Sequence, residues 1–199
     1  RINGNNDNEM KYQNKNFYIL TGGPGVGKTS VLNELEKSGY TVMPETARAI
    51  IKEQMATGGE ALPWKNKELY MQLMVEASAE SYREAISKNS LLPVFFDRGI
   101  LDAVCYARMV GLDLSNEIQE IAEHYQYNTK IFVFPPWQGI YKTDEERKQD
   151  WKEAEATFEA MKKTYQDYGY EIIEVPKDTV EKRKEFIINR IKQNTSDED

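Results

Sequence analysis

The residues Gly22-Gly23-Pro24-Gly25-Val26-Gly27-Lys28-Thr29 fit the pattern G-x-x-x-x-G-K-[ST]. They lie between a short apolar run, Phe17-Tyr18-Ile19-Leu20, and a helical pattern carried by Val31, Leu32 and Leu35. That strand-loop-helix setting is what a phosphate-binding P-loop requires. Its glycines let successive backbone N–H groups turn into one concavity, which the positive end of the following helix completes as a site for triphosphate. The cradle is therefore Gly22, Gly23, Pro24, Gly25, Val26, Gly27, Lys28, Thr29 and Ser30. Lys28 is placed to reach the β/γ-phosphates. The hydroxyl of Thr29 is placed to ligate Mg²⁺, a hard cation that keeps most of its waters and takes few protein oxygens.

Three further groups could join this chemistry. Asp97 and Arg98 directly follow the apolar run Pro93-Val94-Phe95-Phe96. A carboxylate there can hold Mg²⁺ and its waters, and the adjacent Arg can bind an anionic substrate or the transferring phosphoryl group; the pair also suits an ordinary strand-end ion pair. Glu45, in Met43-Pro44-Glu45-Thr46-Ala47-Arg48, follows a strand expected beside the P-loop strand. It suits an acceptor-side base facing the cleft, or equally a helix-terminal charge, with Arg48 one turn on. Residues 142–152 carry Arg147, Lys148 and Lys152 on a helix whose start is marked by the capping box Thr143/Glu146. Such a helix can be a lid that brings Arg147 to the developing charge, or a solvated face. Cys105 reads as core, and His124, the only histidine, as surface.

These groups need a scaffold that collects strand ends. Five short runs (17–20, 40–43, 92–96, 130–134 and 170–175) have the length and the β-branched or aromatic content of strands. Helical patterns separate them, which implies an α/β domain with a parallel sheet covered on both faces. Gly39 and Gly169 mark helices that end and pass directly into strands. Leu69, Leu73 and Ala77 mark a long helix over about 64–88, and a last helix follows Asp178. In such a sheet, ligands bind at the carboxyl ends of the strands. An aromatic-walled acceptor pocket is expected from Glu45, Arg48, Trp64, Tyr70, Asp102 and Tyr106.

Composition sets the limits. With 40% hydrophobic and 30% charged residues, the chain suits one domain over 16–194, with the lid at about 142–168. Residues 1–15, rich in Asn and charge, read as a disordered lead or an appended remnant, and 195–199 as a frayed acidic tail. A net charge of −7 argues against a nucleic-acid backbone as the main partner. One cysteine precludes an intramolecular disulfide, and no apolar run approaches a membrane span, so a cytoplasmic location is expected.

The order GGPGVGKTS, MPETAR, FFDRGILDAVCYARMVGL, IFVFPPWQGIYKTDEERKQDWKEA and YGYEIIEVPKDTVEKRKEFI resembles the small P-loop predicted ATPases of the NadR kinase-like group, over about residues 16–191. The resemblance implies a three-layer P-loop sandwich of the nucleotide-kinase type. It places Asp97 and Arg98 as the kinase acidic-Arg pair, Arg147 in the lid and Glu45 where nucleoside kinases carry a base. Ribosylnicotinamide kinase relatives tend to have Asp-Thr where this chain has Asp97-Arg98.

Competing functions are separable in the sequence. A GTPase switch would offer D-x-x-G and N-K-x-D, whereas Asp97 precedes Arg98-Gly99-Ile100 and Asn66-Lys67 precedes Glu68-Leu69. A motor ATPase would place Glu after the strand-end Asp, where Arg98 stands. The expectation is a kinase that uses Mg²⁺ and ATP, with GTP less favoured, on a nucleoside-, nucleotide- or coenzyme-like acceptor. The alternative is a nucleotide-binding regulatory or partner-interacting module with slow hydrolysis.

Overall fold

A computed structural model describes residues 12–137 and 151–197. The elements run β1 (Tyr12–Gln13), β2 (Phe17–Gly22), α1 (Lys28–Lys37), β3 (Thr41–Met43), α2 (Thr46–Thr57), α3 (Lys67–Lys88) and β4 (Val94–Asp97). They continue α4 (Ile100–Val110), α5 (Asn116–His124), β5 (Tyr125–Gln126), β6 (Lys130–Phe134), α6 (Trp151–Asp167), β7 (Glu171–Glu174) and α7 (Val180–Ser196).

The five expected runs form one sheet in the order β3-β4-β2-β6-β7, and every pairing is parallel. Alternation along each strand divides the core into two layers. Phe17 and Ile19 of β2, Phe96 of β4 and Val133 of β6 pack with Tyr82, Val104, Met161 and Tyr165 from α3, α4 and α6. Tyr18, Leu20, Phe95 and Phe132 pack on the opposite face with Val31 and Leu35 of α1 and Ile187 of α7. The three inner strands β2, β4 and β6 are buried on both faces and read as continuous apolar runs, whereas the edge strands β3 and β7 are only partly buried.

Several expectations need correction. Glu45 follows β3, but β4 lies between β3 and the P-loop strand, so the neighbour of β2 on that side is the strand bearing Asp97. The strand expected over 92–96 begins at Val94, because Pro93 has no N–H for the ladder and Leu92 is half exposed. The long helix starts at Lys67, where Asn66 accepts a hydrogen bond from the Leu69 N–H at 3.0 Å. Tyr12 and Gln13, assigned to the lead, pair with Tyr125 and Gln126, anchored by the Tyr12 ring stacked 5.0 Å from Tyr125. At the other end α7 continues through Ser196, whose hydroxyl donates to the Lys192 carbonyl.

The largest correction concerns α6. Its residues fall in the stretch read as a polar lid, yet Ala154, Phe158, Met161 and Tyr165 form a buried stripe within the core. The spacing is helical, and the surrounding charges concealed it. The rest of the expected lid, residues 142–150 with Arg147 and the Thr143/Glu146 box, lies outside the described residues.

Candidate active site

The carboxyl edge of the sheet presents two abutting concavities. One is lined by Gly23 through Ser30 together with Arg48 and Arg98. Gly25 (φ 71°) and Gly27 (φ 82°) take the left-handed backbone that turns the loop, a conformation costly for any residue with a Cβ. Lys28 is buried, and its Nζ pairs with the Asp97 carboxylate. Burial, and secondarily the charge of Arg98, hold its ammonium below the ordinary lysine value, while Asp97 opposes the shift. Thr29 and Ser30 are exposed at the start of α1.

The second concavity is walled by α2, α3 and α4 and includes Glu45, Tyr70, Ser78, Arg98, Asp102 and Tyr106. Glu45 is the N-cap of α2 but makes no capping hydrogen bond. Its carboxylate instead lies 3.5 Å from Nη1 of Arg98 and 3.3 Å from Nε of Arg48, with only 12% of the side chain exposed. Tyr70 and Tyr106 meet edge to face at 5.3 Å. Burial, then the neighbouring Tyr106, push the Tyr70 phenol up to about 12, so it stays a neutral donor.

Arg98 belongs to both concavities. Its backbone is left-handed (φ 68°), which is strained for a residue with a long side chain. The consequence is geometric. The guanidinium turns back to donate from Nη2 to the Gly22 carbonyl at 3.2 Å while Nη1 faces Glu45. Burial disfavours its charge, but Glu45, Asp102 and Asp97 outweigh that and raise its pKa. Nε of Arg98 and the hydroxyl of Tyr106 are buried without a hydrogen-bond partner among the described residues.

The structure thus brings together Lys28, Glu45, Asp97 and Arg98 and separates others. Arg48 lines the phosphate side rather than the acceptor pocket, and Trp64 is 61% exposed and lines neither concavity. Asp102 is fully engaged in holding elements together: it accepts from Thr21 at 2.5 Å, from the Gly99 N–H at 2.8 Å and from the Tyr165 hydroxyl. His124, read as surface, is half-buried at the end of α5, and Cys105 is buried in the core as read. The sequence reading missed Ser78 and Ser81, although Tyr70, Met74, Ser78 and Ser81 recur at helical spacing on one face of α3. It also missed Arg183.

Among the described residues, no cluster of three or more His, Cys, Asp or Glu could hold a metal ion. Of the two protein oxygens expected for Mg²⁺, Thr29 is exposed at the start of α1 and Asp97 pairs with Lys28. No helix among the described residues is long and apolar enough to cross a membrane.

A family model described as "AAA domain" matches residues 17–183. No curated protein matches the chain. Among solved structures, deoxyadenosine kinase from M. mycoides is similar at a TM-score of 0.60 and 17% identity, over 89% of this chain and 99% of that one. Thymidylate kinase from Ehrlichia chaffeensis gives 0.58 and 13%, over 88% and 97%. Shikimate kinase from Acinetobacter baumannii gives 0.51 and 14%, over 89% and 93%. The likeness is one of fold.

Proposed function

The chain belongs to the AAA-domain family, and from that premise we propose that it is a small-molecule kinase. It transfers the γ-phosphoryl group of Mg·ATP to a hydroxyl of a nucleoside-, nucleotide- or coenzyme-like acceptor. One observation carries the reading: Arg98 lines the phosphate cradle and the adjoining aromatic cleft at once, with the Glu45 carboxylate 3.5 Å away in the cleft. A hydrolase needs only water beside the γ-phosphate, whereas phosphoryl transfer needs a second organic site abutting the first. The neighbours of similar fold include kinases of nucleosides, nucleotides and shikimate, which is compatible with this reading.

In this chemistry the cradle N–H groups and Lys28 hold the β/γ-phosphates. Lys28, paired with Asp97 in this structure, would turn to phosphate oxygen when triphosphate binds, and Thr29 and Asp97 would hold Mg²⁺. The bound cation supplies neutralisation of phosphate charge. Glu45 accepts the proton of the acceptor hydroxyl, and Arg98 orients that carboxylate and faces the moving phosphoryl group. Tyr70, Tyr106 and Ser78 bind and orient the acceptor.

The test is transfer of labelled γ-phosphate from ATP and GTP to a panel of nucleosides, nucleotides, vitamins and coenzyme precursors. A labelled acceptor product supports the kinase. Slow release of phosphate, unaffected by every acceptor, would favour a regulatory nucleotide-binding module instead.

A further inference from the structure

Arg183 is a buried cation that the proposed chemistry leaves unused. It stands one turn into α7 and is only 2% exposed. Nη1 donates to the Val26 carbonyl of the P-loop at 2.7 Å. Nε and Nη2 are buried with no hydrogen-bond partner among the described residues. The guanidinium lies 4.6 Å from the Phe134 ring centroid and 5.5 Å from that of Trp137. Burial lowers its pKa, and no acid among the described residues offsets it. A desolvated charge with two donor nitrogens unpartnered among the described residues destabilises a fold, and aromatic faces return only part of that loss. Such a residue is poor structural cement.

Its one side-chain hydrogen bond among the described residues falls on the P-loop backbone. The Val26–Gly27 peptide joins Val26 to the left-handed Gly27, a residue whose missing Cβ leaves its φ free to rotate, so the hydrogen bond to Arg183 restrains a peptide that the glycine side does not fix. A trans peptide points its C=O and its N–H in opposite directions. Holding the Val26 carbonyl toward α7 therefore aims the Gly27 N–H to the other side, toward the concavity that Gly27, Lys28 and Thr29 line.

We propose that Arg183 is a positioning residue of the nucleotide site: it locks the Val26–Gly27 peptide in the phosphate-binding orientation and places a positive charge behind the cradle. Its presence costs the ligand-free fold stability and strengthens triphosphate binding. The proposal rests on the reading of this loop as a triphosphate site but not on the identity of the acceptor.

Calorimetric titration of the whole chain with Mg²⁺ and a nonhydrolysable ATP analogue, together with melting of the ligand-free protein, tests it in the wild type, Arg183→Met and Arg183→Lys. Arg183→Met removes the charge at similar volume. It should melt at or above the wild-type temperature yet bind at least about tenfold more weakly, the scale of a lost charge-assisted hydrogen bond. Arg183→Lys restores a charged donor and should bind within about threefold of wild type, on the same scale. Wild-type affinity in Arg183→Met, a melting temperature clearly below wild type or failure to fold in that variant, or equally weak binding in Arg183→Lys would each overturn the proposal. The wild-type titration stands apart as the check on triphosphate binding; no binding there overturns both readings.

Discussion

The two concavities at the carboxyl edge of the sheet are built by opposite means. The phosphate cradle comes from one contiguous segment, 23–30, capped by two arginines. The adjoining cleft is assembled from side chains spread from Pro44 to Tyr127. Backbone N–H groups recognise what every nucleoside triphosphate shares, whereas side chains from distant elements recognise what distinguishes one acceptor from another. The electrostatics differ in the same sense. The cradle side is lined by Lys28, Arg48 and Arg98, while the cleft is lined by Glu45, Asp97 and Asp102 with Arg98 as the basic residue among those described. On the proposed function, the cradle takes the triphosphate and the cleft the acceptor hydroxyl.

If that division holds, damage to the two sides should separate kinetically. The largest effect is expected for Glu45→Gln, which keeps the shape and removes the basicity. Phosphoryl transfer should fall roughly 10²–10⁴-fold while ATP affinity stays within error. A wild-type rate with a wild-type pH profile would remove Glu45 from the chemistry. On the opposite side, Lys28→Ala should lower turnover by about 10²–10³ and weaken triphosphate binding with it. Unchanged Mg·ATP calorimetry and unchanged turnover would refute the cradle assignment.

Arg98 joins the two sides and should show a mixed response. Arg98→Ala is expected to raise the acceptor KM and reduce kcat by about tenfold each, the scale of one lost charged contact. Arg98→Gly should show the same kinetic loss but melt higher than Arg98→Ala, because glycine relieves a left-handed backbone that stores about 1 kcal/mol or more. Equal melting temperatures would mean that the strain at this position is negligible.

The smallest effect lies away from both sites and serves as a control. Burial is the main cause that pushes the Cys105 thiol up to about 11, with Asp102 adding to it. Native protein at pH 8 should react slowly with a thiol reagent, and unfolded protein quickly. Above about pH 9 the unfolded chain releases this proton while the folded chain keeps it, so this thiol's contribution to stability falls as pH rises toward 11. Rapid labelling of native protein would show that the α4 core opens readily.

How much of this was legible in the chain follows from the range of the forces involved. The P-loop, the five strands and the glycine-terminated helices at Gly39 (φ 95°) and Gly169 (φ 89°) depend on neighbours in sequence. Local dihedral preference and apolar periodicity therefore determined them, and with them the α/β class and the phosphate chemistry. Contacts between distant segments carry no local signature. Strand order, which inserts β4 between β3 and β2, the burial of α6 beneath its charges, and the exclusion of Trp64 from the cleft were decided only when the sheet packed. The left-handed Arg98 that aims a guanidinium from Gly22 to Glu45, and the Arg183 that grips the loop 157 residues before it, belong to the same class. Each is a compromise of local preference or solvation that only surrounding tertiary packing can sustain.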